Sequence, residues 1–342
     1  MNGAFEVVAR VDQATSLQET SKIFEGLHSL ERQGRVRVRI RSERGQKSYP
    51  RVVRLSVWRG GSSREIAIDL ADQRTLFHMP DLEAVDVYYK RSFSPENLPQ
   101  LPQEFSSKIR PFGLNNPTSS LAPVWPVLSA RRASGVSLRQ LATDARQLLA
   151  LPSPSAFECE PGVAAQPTVL FQTRVWEPAG DPLTTAINEE RVMLVAELRK
   201  AFGARFVGGI IPSDYARKHF PEALTTLECS MRAYARLLRG PLVAIYCRGL
   251  HDSVGFKMAE YLAASRAIVG HRPTAVLPQP LEEGTHYLGF GTPEECVAQC
   301  TRLLEDAELA QTMRRSNWDY YLDQVEPSAL LINRIEEAFE PG

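Results

Sequence analysis

Two carboxylates stand close together in the second half of the sequence, among residue types that suit ligand binding. Asp252 and Glu260 are separated by seven residues, across a glycine-containing turn and the start of a predicted helix. Apolar runs at residues 242–246 and 267–269 flank this stretch and indicate two strands of a parallel crossover. Because such crossovers place ligands at the carboxyl ends of their strands, the stretch predicts half of a binding crevice.

Length and composition determine how much protein surrounds this stretch. The chain has 342 residues, of which 43% are hydrophobic and 23% charged, enough for a large core and two domains. The formal net charge is zero at pH 7, so the overall charge does not predict a nucleic-acid partner. No secretory signal precedes the first strand, and no apolar run approaches the ~18 residues of a membrane-spanning helix. We therefore expect a cytoplasmic protein.

Five cysteines occur in the chain, an odd number with no Cys-x-x-Cys pair. Cys296 and Cys300 share one face of a predicted helix, which suits either a metal or redox pair or two buried thiols. We expect buried thiols, because free cysteine behaves as a small hydrophobic residue. The sequence shows no cluster with metal-ligand spacing, so we expect neither a metal nor another cofactor.

A proline-rich stretch at residues 151–167 divides the chain, because its prolines prevent regular structure. We place one domain at residues 1–160, a second at residues 161–325 and a final helix at residues 326–342. In both halves, apolar strand-like runs alternate with helix-like segments. This order predicts an α/β fold, and it is most regular after the linker, where it favours a doubly wound parallel sheet.

The stretch at residues 35–41 alternates arginine with valine or isoleucine, which predicts a strand with one basic and one apolar face. The basic face could attract an anionic acceptor or lipid headgroups, which would put the protein at the membrane periphery. A solvated face, or a strand edge protected by charge, is the simpler interpretation.

The residues around Asp252 also resemble a known family. The pattern Asp252-Ser-Val-Gly, then Glu260, then Ala-Ala-Ser-Arg-Ala-Ile-Val is similar to the Glu-x7-Glu signature of group 1 glycosyltransferases, nucleotide-sugar enzymes of the GT-B fold. Residues 282–296 and 303–315 resemble the loop and helix that follow in that family, and Arg174 sits where the family has a Gly-Arg-Leu strand end. The resemblance covers residues 168–325.

The sequence departs from the family pattern at several positions. Asp252 replaces the first Glu and is one methylene shorter, and Ser265 replaces a glycine. The proline that precedes valine in the family is absent. Lys257 is similar to the basic residue of divergent relatives that have Arg-x-x-Glu here. These differences indicate a divergent member and leave the donor open.

The resemblance implies roles for the two carboxylates. Asp252 would accept hydrogen bonds from hydroxyls of the donor sugar. Glu260 would accept two from the ribose hydroxyls, because each carboxylate oxygen can accept one O–H. The alternative for Glu260 is a helix carboxylate paired with Lys257 one turn earlier.

The leaving diphosphate needs cations and backbone N–H groups at a helix start. By the resemblance, Arg174 and Lys257 would be the cations, with Arg248 as a second choice. Gly249 and Ser253 would lie in the turn that binds the donor.

Three further residues are weaker candidates. His251 would stabilise the leaving phosphate, or else cap the turn. Tyr287 would line the donor pocket, or else belong to the core. Asp12 is the carboxylate after the first predicted strand, where this fold would place an acceptor base; N-cap or surface duty is the alternative.

Three basic residues follow later strands of the N-terminal half. Lys90, Arg91 and Arg110 would face a cleft and contact an anionic acceptor, or else be solvated loop charges.

The resemblance implies a GT-B fold, in which two Rossmann-like doubly wound domains face a cleft and the C-terminal helix crosses back onto the first domain. The C-terminal domain would hold a nucleotide-sugar donor, and the N-terminal domain a glycan, lipid-linked or small-molecule acceptor, as in polysaccharide biosynthesis. Two alternatives remain: an epimerase or hydrolase of nucleotide sugars on the same scaffold, and a non-catalytic binding protein.

Overall fold

The computed structural model describes residues 4–44, 49–250 and 253–340. The chain is an α/β protein, as predicted, and divides into two compact units. The first unit comprises Met1–Ser155, Ala275–Pro280 and Leu322–Gly342, and the second comprises Ala156–Thr274 and Leu281–Tyr321.

In the described part of the first unit, six strands form one sheet in the order β2-β1-β3-β4-β5-β6. They are β1 (Phe5–Val11), β2 (Val36–Ser42), β3 (Val52–Arg59), β4 (Ser62–Asp69), β5 (Val87–Lys90) and β6 (Ile109–Pro111). Neighbouring strands are parallel except that β3 is antiparallel to both β1 and β4. The reversal follows from Gly60 and Gly61, which join β3 to β4 with φ of 55° and 85°, the positive values that a type I′ hairpin turn requires. The first sheet is therefore mixed, which agrees with the less regular strand and helix pattern of the first half of the sequence.

The basic stretch at residues 35–41 forms the edge strand β2, whose arginines at positions 37, 39 and 41 are exposed. This arrangement fits the simpler interpretation of a strand edge protected by charge.

Helices cover this sheet and extend the unit. They are α1 (Leu17–Arg32), α2 (Met79–Glu83), α3 (Gln103–Ser106), α4 (Val124–Ala133), α5 (Leu138–Ala150) and α13 (Pro327–Glu337), while α6 (Pro154–Phe157) spans the boundary to the second unit. The last helix packs against α1, where Gly26 lets the backbones approach so closely that a Cβ would collide with the Pro327 carbonyl. Glu326 caps its start by accepting hydrogen bonds from the N–H groups of Ser328 (2.8 Å) and Ala329 (2.9 Å).

The second unit contains an all-parallel sheet, in the order β11-β10-β9-β7-β8 among the residues described. Its strands are β7 (Gln166–Thr173), β8 (Phe206–Ile210), β9 (Pro241–Tyr246), β10 (Ala267–Gly270) and β11 (Leu288–Gly289). Its helices are α7 (Pro182–Phe202), α8 (Asp214–His219), α9 (Met231–Leu238), α10 (Phe256–Ala263), α11 (Pro293–Glu305) and α12 (Ala307–Tyr320). The doubly wound parallel sheet predicted for this half is confirmed.

The core of the second unit lies between the sheet and helices that include α7 and α11. Cys296 and Cys300 belong to it and are fully buried, which confirms the expectation of buried thiols. Among the described helices, none combines the length and the apolar character needed to cross a membrane.

Candidate functional site

The carboxyl ends of the parallel strands in the second unit meet at one edge of the sheet, and this edge collects polar residues. Arg174 directly follows β7, Arg248 comes two residues after β9, and His271 directly follows β10. The backbone N–H of Arg248 donates to His271 Nδ1 at 3.5 Å, so the ends of β9 and β10 are in contact. This carboxyl edge is the candidate site.

A buried arginine on α7 fixes two of these strand ends. Arg191 is 4% exposed, and its guanidinium donates to the carbonyl oxygens of Arg174 (2.6 Å) and Arg248 (2.7 Å). The same guanidinium stacks over the Trp176 ring at 4.4 Å. Since Arg presents several donors in a rigid planar fork, one side chain can hold both backbones in place.

The turn after β9 is built on a close approach between two of the predicted site residues. The Gly249 N–H donates to the Ser253 carbonyl at 2.9 Å, and a Cβ at Gly249 would lie 2.6 Å from Ser253 Oγ. Gly249 is thus required for packing, and Ser253 is buried. His251 and Asp252 fall between them but lie outside the described residues, so their roles stay predictions.

Helix α10 begins beside this turn. Its N-cap is Gly255, and no described side chain caps the helix start. The Gly255 N–H lies 3.4 Å from the Tyr246 hydroxyl. Backbone N–H groups at such a helix start can bind an anion.

Glu260 lies on α10 and is 5% exposed. Its Oε2 forms an ion pair with Lys257 Nζ at 3.1 Å, and none of the other described residues donates a hydrogen bond to that oxygen. The Lys257 ammonium also lies over the Tyr234 ring, 2.9 Å from its centroid. A carboxylate can accept up to four hydrogen bonds, so the buried Glu260 retains acceptor capacity beyond Lys257 and is suited to accept an O–H donor from a ligand.

Lys257 and Arg174 are close enough to influence each other electrostatically. Loss of solvation lowers the pKa of Lys257; the nearby Glu260 carboxylate opposes this effect, and the positive charge of Arg174 adds to it. The structure thus brings Arg174, Lys257 and Glu260 to one site, although they are far apart in sequence.

Besides Arg191, two further residues of this edge were missed from the sequence. Glu190 on α7 places Oε1 2.9 Å from His271 Nε2 and Oε2 3.8 Å from Arg248 Nε. Burial alone would raise the pKa of Glu190, but the hydrogen bond and charge of His271, with Arg248 and Arg191, lower it below its ordinary value. His271 could have been found because it directly follows a strand, whereas Glu190 stands inside a helix with no local signal.

Tyr287 is 2% exposed and precedes β11. Burial, with the nearby Glu283 carboxylate, raises the pKa of its hydroxyl. The structure places this side chain in the interior of the unit, which was the alternative to a pocket-lining role.

In the first unit, Asp12 organises the turn after β1. It is 2% exposed, and its Oδ1 accepts hydrogen bonds from the N–H groups of Ala14 (2.8 Å) and Thr15 (2.9 Å) and from the Thr15 hydroxyl (2.9 Å). These contacts build the turn between β1 and α1, whose N-cap is Ser16, so Asp12 has a structural role in this turn.

Lys90 and Arg91 do not face open solvent, so this part of the prediction is wrong. Lys90 is completely buried, with Nζ 2.7 Å from Asp69 Oδ2 and 2.8 Å from the Leu76 carbonyl. Arg91 is 5% exposed and pairs with Asp72 at 2.5 Å. The parallel pairing of β4 with β5 brings the acidic residues at the end of β4 beside these cations, which neutralises them inside the unit.

Arg110 is also engaged within the first unit. Its Nη1 donates to the Glu337 carbonyl at 2.9 Å and lies 3.6 Å from the Glu337 carboxylate. These contacts tie β6 to the last helix, and they give Arg110 a structural role.

Comparison with known proteins gave matches only among solved structures: neither a family model nor a curated protein matches the chain. A glycosyltransferase from Rickettsia africae ESF-5 is 9% identical, with 93% of this chain and 80% of that chain covered and a TM-score of 0.43. Anabaena HepE in complex with UDP is 10% identical, with 96% of this chain and 98% of that chain covered and a TM-score of 0.42.

A third similar structure is the UDP-GlcNAc 2-epimerase from Neisseria meningitidis bound to UDP-GlcNAc. It is 14% identical, with 96% of this chain and 84% of that chain covered and a TM-score of 0.41. Similarities this low carry no argument about function, which has to come from the side chains of the site.

Proposed function

We propose that this protein is a glycosyltransferase that binds a nucleotide sugar at the carboxyl edge of the second unit. The observation that carries the proposal is the buried Glu260 carboxylate, whose Oε2 pairs with Lys257 and receives no hydrogen bond from any other described residue. The two vicinal hydroxyls of a ribose would satisfy both oxygens of this carboxylate. Because hydrogen bonds to a charged acceptor are stronger than those between neutral groups, these two contacts would favour ligand binding.

The cations beside Glu260 suit the diphosphate of the same ligand. When the bond between the sugar and the phosphate breaks, its electron pair moves to the leaving phosphate, which gains negative charge. Arg174, Lys257 and the N-terminus of α10 would stabilise that charge, because they are held in place before the reaction. Arg248 would add a second guanidinium, oriented by Arg191 and by the Glu190–His271 pair.

The remaining roles follow from the resemblance to group 1 glycosyltransferases. Asp252 and His251 would contact the sugar and the leaving phosphate. The acceptor would be a glycan, a lipid-linked molecule or a small molecule with a free hydroxyl, held by the N-terminal domain in a GT-B arrangement.

Binding is tested by thermal unfolding with UDP, GDP, TDP or CMP at millimolar concentration. A ligand that binds the native state at about 100 times its Kd stabilises it by about 2.7 kcal/mol, so at least one nucleotide should raise the Tm. Glu260→Ala should abolish this rise. Glu197→Ala is the matched control, because Glu197 forms the same type of pair with Lys200 one turn later, at 3.6 Å on an exposed helix face.

Absence of a Tm rise with all four nucleotides would contradict the proposal. Once a nucleotide is identified, its sugar conjugates are incubated with and without hydroxyl acceptors. Transfer that needs the acceptor supports a glycosyltransferase, turnover without an acceptor indicates an epimerase or hydrolase, and binding without turnover indicates a non-catalytic protein.

A further inference from the structure

The helices α4 and α5 of the first unit carry an unusually exposed set of apolar side chains. Among the described residues, the three most exposed large apolar side chains are Trp125 (76%), Leu121 (73%) and Leu138 (71%), and all three belong to this pair of helices or the loop before it. Leu149, near the end of α5, is 44% exposed. Single exposed apolar residues are ordinary, but a concentration of them marks an interaction surface.

The exposure does not come from a loosely packed pair of helices. Val127, Leu128 and Leu148 are buried, and Arg131 on α4 forms a buried ion pair with Asp144 on α5 at 2.8 Å. The Arg131 guanidinium also donates to the Asp12 carbonyl at 2.7 Å, which joins the pair to the turn after β1. The exposed residues are therefore presented by a fixed scaffold.

The charges on this surface have one sign. Over residues 121–150, every one of which the structure describes, the exposed charged side chains are Arg132, Arg139 and Arg146. The acidic residue in this range, Asp144, is buried against Arg131. Arg44 adds a further exposed cation at the end of α4, where it donates to the Ala133 carbonyl at 2.9 Å. The surface is locally basic in a chain whose formal net charge is zero.

We propose that this helical-pair surface, defined by the four apolar residues Leu121, Trp125, Leu138 and Leu149 with Arg132, Arg139 and Arg146, docks on an anionic lipid membrane. Tryptophan and leucine enter the boundary between headgroups and acyl chains, and arginine pairs with lipid phosphates. A second copy of the same surface would bring like charges together, which opposes self-association. The proposed membrane contact therefore lies on α4 and α5 and not on the arginine edge of β2.

The test is co-sedimentation of the full chain with vesicles of phosphatidylcholine alone and of phosphatidylcholine mixed with phosphatidylglycerol. The protein should bind the mixed vesicles, and added salt should weaken the binding. Trp125→Glu and the double variant Arg139→Glu/Arg146→Glu should each lower the vesicle affinity about ten-fold or more. Circular dichroism and unfolding curves verify that each variant folds.

Two matched variants separate this surface from general effects. Trp58 is 41% exposed on β3, and Arg217 is a largely exposed arginine on α8, so Trp58→Glu and Arg217→Glu should bind vesicles as the wild type does. The proposal is overturned by wild-type protein that ignores the mixed vesicles or binds neutral ones equally. It is also overturned if Trp125→Glu and Arg139→Glu/Arg146→Glu bind the mixed vesicles as the wild type does. A wild-type dimer that dissociates in Trp125→Glu would likewise overturn it, because the surface would then bind a second copy of the chain. No nucleotide is present, so the result is independent of the proposed glycosyltransferase activity.

Discussion

The guanidinium of Arg191 donates a hydrogen bond to the carbonyl oxygen of Arg174, at 2.6 Å. A second hydrogen bond from the same group, to the Arg248 carbonyl at 2.7 Å, joins the ends of two neighbouring strands. Two proposed phosphate-binding cations thus depend on one buried side chain for their backbone positions.

Arg191→Lys should lower the affinity for a nucleoside diphosphate about ten-fold, because a single ammonium cannot reproduce the fork that holds both carbonyls. Affinity for the corresponding nucleoside, which lacks phosphates, should stay nearly unchanged, because the proposed contact to the ribose is made by Glu260 and not by the strand ends that Arg191 holds. Isothermal titration calorimetry with the two ligands measures the difference.

The control for this variant is Arg199→Lys. Arg199 lies two turns further along α7 and donates to other carbonyls, including that of Leu224 at 2.8 Å. The Arg199→Lys variant should have the same ratio of nucleoside diphosphate affinity to nucleoside affinity as the wild type. A loss of nucleoside and diphosphate binding to the same extent in Arg191→Lys would indicate a general structural effect and refute the positioning role.

Binding of a nucleoside diphosphate should weaken at alkaline pH because of Lys257. Loss of solvation lowers the pKa of this ammonium below the ordinary value of 10.5, and only its protonated form attracts phosphate. Affinity should therefore fall as the pH rises through this lowered pKa. The phosphate, with a second pKa of about 6, is already fully ionised at these pH values and does not contribute to the change. Lys257→Arg keeps its charge and should remove the fall; an identical pH profile in both proteins would exclude Lys257 as the titrating group.

The buried pair of Lys90 and Asp69 should matter for stability. Lys90→Met leaves the Asp69 carboxylate buried with one strong donor fewer, which should lower the free energy of unfolding by about 3–5 kcal/mol. The double variant Lys90→Met/Asp69→Asn should recover part of the loss, because the uncompensated charge is gone. Urea unfolding at neutral pH measures both values, and wild-type stability in Lys90→Met would contradict the structural role.

Local patterns predicted the second unit better than the first. Regular alternation placed β7, β9 and β10, and parallel crossovers then required Arg174 and Glu260 to lie near the same sheet edge. The sequence pattern did not predict that β3 runs antiparallel to its neighbours, because this direction depends on the two-residue turn at Gly60 and Gly61 and not on the apolar pattern of the strands.

The incorrect and missed predictions of functional residues, in both units, had a common physical origin. Lys90 is the last residue of β5, where the sequence predicted an exposed cleft residue, but its partner Asp69 stands 21 residues earlier and reaches it only when β4 pairs with β5. Arg191 and Glu190 stand inside a helix, so their contacts with strand ends depend on tertiary packing that no local pattern records.

The most direct measurement of the central claim compares ribose with 2′-deoxyribose. The ribonucleoside diphosphate with the largest Tm rise and its 2′-deoxy analogue are titrated into wild-type protein and Glu260→Ala by calorimetry. If Glu260 accepts hydrogen bonds from the ribose hydroxyls, the wild type should prefer the ribose form about ten-fold, and Glu260→Ala should bind both forms equally. A ribose preference that survives in Glu260→Ala, or a wild type that prefers the deoxy form, would contradict the assignment.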